Sequence, residues 1–487
     1  MMKALPQKFA ERMKVLLGNE FDDYVSSLNE KPVRAFRVNT DKISLEKFEK
    51  INPFTTEKIP YVENGFYFED EKIGNHPYHH AGMIYVQEPG AMAPAECIDL
   101  EPHWCVLDMC SAPGGKSSQL KNKLGEDGFL VSNEIIPSRC KILTGNVERL
   151  GLKNVVTTCM DTKKLAKIFP EAFDFIMVDA PCSGEGMFRK EDIAIDEWSE
   201  ENVKSCAERQ KGILENAVKC LKNGGYIVYA TCTFSLDENE MVVDDFLQKH
   251  PDFELVKVKK SVEENTCDGI FFDGCKCENI SLARRFYPHK NKGEGQCMAV
   301  LHNKNTHYEN TAFKKKNPSK IDNIVYDFLD DALISYKREN VLIHKGNPVY
   351  RSPDFSVDNA VVFSCGITIG EIRKNYIQPH HQFFMGMGDL FKRKIELSPE
   401  SDEMKKYLRV DFEDDDTLLR NIMESAQTLS MDVARITDED AFEEEPCARI
   451  AVMYAVAYLY EHREEADHHA LTLSLRSLLF GCRQEGF

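Results

Sequence analysis

A chain of 487 residues is long enough for about two to four domains and a large apolar core. Its formal net charge of −19 argues against a generally basic nucleic-acid binder, but the charge is uneven: from Asp402 onward 20 acidic and 9 basic residues give −11, leaving −8 for the first 401. Sixteen cysteines lie scattered with no Cys-x-x-Cys pair, residues 1–14 lack a signal-peptide pattern, and the longest apolar run (450–460) is too short for a bilayer, which together predict a cytoplasmic protein with reduced thiols. Zinc at Cys267, Cys275 and Cys277 is disfavoured by their spacing, and no metal is expected.

Phe9, Met13, Leu16 and Leu17 recur at helical spacing and predict a helix over 5–30. Strand-like pieces follow at 35–39 and 65–68, then a break at Glu88-Pro89-Gly90. From there strands (104–109, 128–132, 154–158, 173–178, 225–230) alternate with helices (116–124, 138–150, 201–221). Such alternation predicts an α/β fold with a parallel, doubly wound sheet. Residues 304–322 are polar and lysine-rich, 341–370 are β-rich, and after Ser398-Pro399-Glu400 the texture becomes that of acidic amphipathic helices. The divisions expected are 1–90, 91–303, a linker at 304–340, 341–401, and a helical tail at 402–487. Basic clusters at Arg34/Arg37, Lys257/Lys259/Lys260, Arg284/Arg285 and Lys314 to Lys316 leave room for a local RNA groove.

The first strand of the alternating region runs into Cys110-Ser111-Ala112-Pro113-Gly114-Gly115-Lys116 and then a helix. A glycine-rich turn there lets a ligand meet the backbone at a helix N-terminus. A phosphate-binding P-loop needs glycine five positions before Gly115, where Cys110 stands, and the dinucleotide fingerprint is also absent. Glu134 closes the second strand, placed to hold ribose hydroxyls, and Asp161 follows the third; a helix N-cap is the plainer role for either acid. A nucleoside cofactor without a pyrophosphate, S-adenosylmethionine, fits this loop best.

Two further segments each lead an apolar strand into a cysteine: Val178-Asp179-Ala180-Pro181-Cys182-Ser183-Gly184-Glu185-Gly186 and Tyr229-Ala230-Thr231-Cys232-Thr233-Phe234-Ser235. Buried cysteines often serve as small apolar side chains. Two of them beside an acid, at the strand edge where α/β sheets bind ligands, point instead to covalent catalysis.

These segments, with Asp108-Met109 ahead of Cys110, Met187-Phe188-Arg189-Lys190 after Gly186, and Gly293-Glu294-Gly295, resemble the Nop/Sun family of RNA cytosine-C5 methyltransferases, nearest its RsmF-type bacterial 16S rRNA branch. Gly370-Glu371-Ile372-Arg373-Lys374 and Gln378-Pro379-His380 extend the likeness to about residue 400. Gly90, Leu236 and Gln296-Cys297 depart from the family pattern away from the chemistry. The resemblance implies a class I Rossmann-like methyltransferase sheet, with an N-terminal α+β RNA-binding domain. It implies that Cys110, Ser111, Ala112, Pro113, Gly114, Gly115, Lys116, Glu134, Asp161 and Asp179 line the S-adenosylmethionine pocket. It further implies that Cys232 is the nucleophile and that Cys182 assists product release. The partner implied is RNA, 16S rRNA or the small ribosomal subunit, with tRNA as the alternative and no membrane.

The chemistry asks for these groups. Cytosine C5 is a poor nucleophile until a thiolate adds at C6. A hydrogen bond at N3, a role suited to Asp179, stabilises the displaced charge. A basic neighbour such as Lys190 would favour the thiolate. DNA cytosine methyltransferases make the Pro-Cys cysteine, here Cys182, the nucleophile, but would not carry the Thr-Cys-Thr-Phe-Ser segment. An adenine-N6 enzyme needs an aromatic after Asp-Pro-Pro, and retention of both cysteines, Asp179 and Lys116 opposes a non-catalytic assembly factor.

The tail departs. Where an RsmF-type chain would open a PUA-like domain near Tyr407, residues 402–487 resemble a phage head–tail connector protein, so the chain reads as a chimera.

Overall fold

The computed structural model describes residues 3–69, 73–305, 321–392, 416–438, 441–442 and 448–461, with short pieces at 471–472, 474–475 and 478–479. Lys314 to Lys316 and the Tyr407 junction lie outside the described residues.

The N-terminal helical stretch is two helices, Gln7–Leu17 and Phe21–Ser27, rather than the single helix expected over 5–30. The first stops at Gly18, and a 3-10 turn over Gly18–Glu20 re-aims the chain. An antiparallel sheet follows, built from β1 (Ala35–Val38), β2 (Thr56–Lys58), β3 (Gly65–Phe68) and β4 (Ile84–Val86) in the order β2-β3-β1-β4. Its core is aromatic: the Phe36 ring lies 5.6 to 5.8 Å from those of Phe48, Phe54, Phe66 and Phe68.

The main sheet begins with β5 (Cys105–Asp108), β6 (Phe129–Asn133), β7 (Val155–Thr158), β8 (Phe173–Asp179) and β9 (Leu221–Thr231). These five are parallel, in the spatial order β7-β6-β5-β8-β9. Alternate residues enter opposite cores: Leu107, Val131 and Ile176 face one, Val106, Leu130 and Phe175 the other. That two-sided burial is why the strands read as continuous apolar runs. Beyond β9 the sheet turns antiparallel through β10 (Phe253–Val256), β11 (Cys267–Asp268), β12 (Arg284–Phe286) and β13 (Gln296–Asn303), with β13 paired to β9. The sheet is therefore mixed, its expected parallel part being the centre.

The segment after the lysine-rich stretch forms β14 (Val341–His344), β15 (Asn347–Tyr350), β16 (Val362–Cys365), β17 (Ile367–Thr368), β18 (Gly370–Ile372) and β19 (Ile377–Pro379). Strand β16 runs antiparallel along the far edge of β7, pairing Val362 with Thr158 and Cys365 with Val156. Just before it, the Phe355 ring stacks 4.7 Å from that of Phe129 and lies 5.5 Å from those of Phe169 and Phe173. Sequence periodicity identifies the strand but carries nothing about this pairing, which joins residues about 200 positions apart.

Residues 416–461 contain the helices Asp416–Ala434 and Ala448–Glu461, which share an apolar cluster of Ala426, Val433, Ala451, Val456 and Leu475. Among the described residues no helix is long and apolar enough to cross a membrane.

Candidate active site

Strand order reverses between β5 and β8, and the crevice beyond their carboxyl ends is where open α/β sheets hold ligands. Asp108 ends β5. Its Oδ2 accepts from Ser117 Oγ at 2.6 Å, while Oδ1 is buried with no hydrogen-bond partner. Burial, with Asp179's charge adding, pushes this carboxyl up to about 7.

The loop from Cys110 to Gly114 then leads into the helix Gly115–Lys123. Gly114 sits at φ 109°, a backbone that side chains rarely adopt, so the turn needs glycine. Ser111 N–H donates to the Asn133 carbonyl at 2.8 Å, tying the loop to the end of β6. Arg37 reaches in from β1: its guanidinium donates to the Gly115 carbonyl and to Ser118 Oγ, both at 2.7 Å, and to Gln87 Oε1 at 2.9 Å. Burial lowers that guanidinium to about 10. Arg37 therefore shapes the loop and offers nothing to RNA. Arg284 and Arg285 are likewise buried, bound to Asp268 and Glu240 respectively, so two of the expected basic clusters are largely structural.

Glu134 is buried just past β6, with Oε1 accepting from the Ile136 N–H at 3.0 Å and Arg139 3.4 Å from Oε2. Asp161 caps the helix Thr162–Ile168, accepting from Lys164 N–H at 2.9 Å, which is its plainer role; its side chain remains 39% exposed. Asp179 ends β8 and accepts from Lys116 Nζ at 2.8 Å. Burial works against the Lys116 charge, but Asp179 and then Cys232 outweigh it and raise the ammonium above its usual range. The cation beside Cys232 is thus Lys116, while Lys190 is exposed and exerts its field on Glu294.

Cys182 and Cys232 stand 3.1 Å apart, sulfur to sulfur, and the Cys232 N–H points to Cys182 Sγ at 3.3 Å. The hydrogen bond to Cys232, then burial, holds the Cys182 thiol well above its usual range. The approach depends on Gly186, whose N–H donates to the Cys232 carbonyl at 2.9 Å. A Cβ there would lie 2.5 Å from the Gly295 carbonyl oxygen, so the second and last motifs close on one another only with glycine.

Three buried acids near this site escaped the sequence reading. Glu238 binds Ser183, Thr233 and Gln210; Glu185 accepts from Trp198 Nε1 at 2.8 Å and from Arg12; Glu294 pairs with Arg189 at 2.9 Å. Glu185 and Glu294 lay inside quoted motifs, where only burial distinguishes them from surface charge. Cys275 and Cys277 gather instead at Asp244, whose Oδ1 accepts from the Cys277 N–H at 2.6 Å, while Cys267 lies in β11. Among the described residues no three His, Cys, Asp or Glu side chains cluster as a metal site would require.

Comparison with known proteins matches residues 95–302 to the model of 16S rRNA methyltransferase RsmB/F and residues 5–89 to that of the N-terminal domain of 16S rRNA methyltransferase RsmF. A solved methyltransferase homolog protein from Pyrococcus horikoshii is 30% identical with a TM-score of 0.54, covering 61% of this chain and 95% of its own. At that identity and coverage the chain belongs with the methyltransferases. Among curated relatives, ribosomal RNA small subunit methyltransferase F of Vibrio vulnificus is 37% identical over 249 residues, 49% of this chain. That match spans about half the relative's length, 53%. The protein of the same name from Psychromonas ingrahamii is 29% identical over 426 residues, covering 81% of this chain and 86% of the relative. Residues 402–483 match a different model, the phage gp6-like head-tail connector protein.

Proposed function

We propose that this chain methylates C5 of a cytosine in small-subunit ribosomal RNA, using S-adenosylmethionine and a transient bond from Cys232 to C6. The observation that carries the reading is the pair of thiols 3.1 Å apart at the switch-point edge, with the Lys116–Asp179 pair beside them.

The residues present suit the cofactor. Asp108, Glu134, Asp161 and Asp179 make the strand edge acidic, wrong for a pyrophosphate and right for ribose hydroxyls and a cationic sulfonium. Asp108 Oδ1 is an unpartnered buried acceptor within that edge. Cys110, Ser111, Ala112, Pro113, Gly114, Gly115 and Lys116 would form the wall, with Glu134 on the ribose. When bound, the cofactor supplies an electrophilic methyl group.

Cys232 adds as thiolate to C6, and the ring's displaced electrons pass toward C5 and N3. Asp179, its Oδ2 accepting from Lys116, takes the N3 side, where a proton on its other oxygen donates to N3 and stabilises the developing charge. Once C5 carries the methyl group, its proton must leave before the C6–S bond can break. Cys182 is the base for that step. In the free protein its thiol is kept neutral first of all by the bond to Cys232. Bonding of Cys232 to C6 removes the thiolate that holds the Cys182 proton; once that proton passes to solvent, the Cys182 thiolate accepts the one leaving C5 as the C6–S bond breaks. Residues 1–90 and 341–401 are proposed as the grip on RNA around the reacting base, which must be splayed from its stack.

The test is a pair of variants. Cys232→Ala abolishes turnover with cofactor affinity retained, and Cys182→Ala accumulates an RNA–protein adduct through Cys232, seen as a shifted band on a denaturing gel. A Cys232→Ala protein at the parent rate beside an inactive, adduct-free Cys182→Ala protein would overturn the roles.

A further inference from the structure

Glu238 lies on the turn between β9 and the helix Glu240–Lys249 and is fully buried. Its Oε1 accepts from the Ser183 backbone N–H at 2.9 Å and from Gln210 Nε2 at 3.0 Å. Its Oε2 accepts from Ser183 Oγ at 2.5 Å and from Thr233 Oγ1 at 3.3 Å. One carboxylate therefore binds the residue that follows Cys182 and the residue that follows Cys232. Gln210 extends the clamp, donating also to the carbonyl of Pro181, which precedes Cys182, at 3.1 Å. Tyr229 closes it from beneath, its hydroxyl donating to the Glu238 carbonyl at 2.6 Å.

Burying a carboxylate costs free energy unless its acceptor sites are filled, and here four donors fill them with no cation among these partners. Burial accordingly raises the Glu238 carboxyl above its usual range. Ser183 Oγ also meets Thr233 Oγ1 at 2.9 Å, and Glu185 Oε2 accepts from the Phe234 N–H at 3.1 Å, but Glu238 is the side chain whose carboxylate binds the residues next to both thiols.

We propose that Glu238 is the positioning residue that sets the separation of Cys182 and Cys232. Its catalytic consequence rests on the cytosine-C5 reading above; its geometric consequence does not. Reaction steps of this kind lose about 10²-fold in rate when a group shifts by about 1 Å. Glutamine can keep the clamp, because the Ser183 and Thr233 hydroxyls can rotate to accept from its amide. Alanine cannot.

The full-length chain is compared with Glu238→Ala and Glu238→Gln by two readouts. One is kcat and the RNA KM; the other is the rate at which diamide closes a Cys182–Cys232 disulfide, followed by loss of free thiols. Glu238→Ala is expected to lower kcat about 10²-fold with KM changed by less than about threefold, and to slow disulfide closure about tenfold. Glu238→Gln is expected to restore both to within about fivefold of the parent. Parent values of both readouts in Glu238→Ala overturn the inference, as does a glutamine variant as impaired as the alanine one. Should Glu238→Ala fail to fold, Thr233→Val removes one donor from the same clamp, and parent values of both readouts there overturn it equally. If Cys232 is not the nucleophile, kcat becomes indifferent while disulfide closure still responds, so the two readings fail separately.

Discussion

Replacing Phe355 with alanine tests whether the segment after the lysine-rich stretch is part of the methyltransferase core. Phe355 is 3% exposed and its ring meets those of Phe129, Phe169 and Phe173 at 4.7 to 5.5 Å. Truncating a buried phenylalanine costs about 3–5 kcal/mol, combining lost transfer energy with the cavity left behind. Three ring partners and near-complete burial make that cost apply here. In a body of this size each kcal/mol moves the midpoint by about 2 °C, so Tm should fall by roughly 6–10 °C. Differential scanning calorimetry of the full chain, read beside the fluorescence of Trp104 near the start of β5, gives both the shift and its location. A fall below about 2 °C, or loss of the later strands in a separate early transition with the Trp104 signal unmoved, would refute the shared core.

Arg285→Leu leaves Glu240 buried without its partner and should cost about 3–5 kcal/mol by urea denaturation, whereas Arg285→Met with Glu240→Leu should recover most of it. The Asp108 carboxyl, raised by burial to about 7, contributes stability that is present below its unfolded value near 4 and lost as pH rises through about 7. Asp108→Asn should therefore gain on the parent as pH climbs across that window, and a flat difference in urea midpoints would contradict this. Removing residues 402–487 takes away a net charge of −11 and should tighten RNA binding in a filter assay at low salt, with cofactor affinity unchanged.

The motifs around Cys110, Cys182 and Cys232 were legible because chemistry constrains them locally: a thiol, a turn and an acid within a few residues of a strand end. Asp179 and Lys116 could be named from sequence, but their 2.8 Å contact could not, and neither could the replacement of Lys190 by Lys116 as the cation near Cys232. Arg37 and Arg285 look like surface charge in a linear string; only the folded chain shows them bound to the Gly115 carbonyl and to Glu240. Glu238 was invisible for the same reason, since its partners come from three separate segments. Helix and strand periods report which face is apolar, and they carry no information on which distant strand will lie alongside.

The pairing of β16 with β7 also sets a schedule. Strand β7, Val155-Val156-Thr157-Thr158, is β-branched throughout, with no charge or proline to blunt its edge, and its cover is encoded about 200 residues later. Chains lengthen at about 5–20 residues per second during synthesis, so this edge waits roughly 10–40 s for its neighbour. Throughout that interval the nascent sheet exposes a free edge able to recruit a strand from another chain. A ribosome paused before Phe355 would thus hold the central sheet with β7 uncovered and open to aggregation along one side.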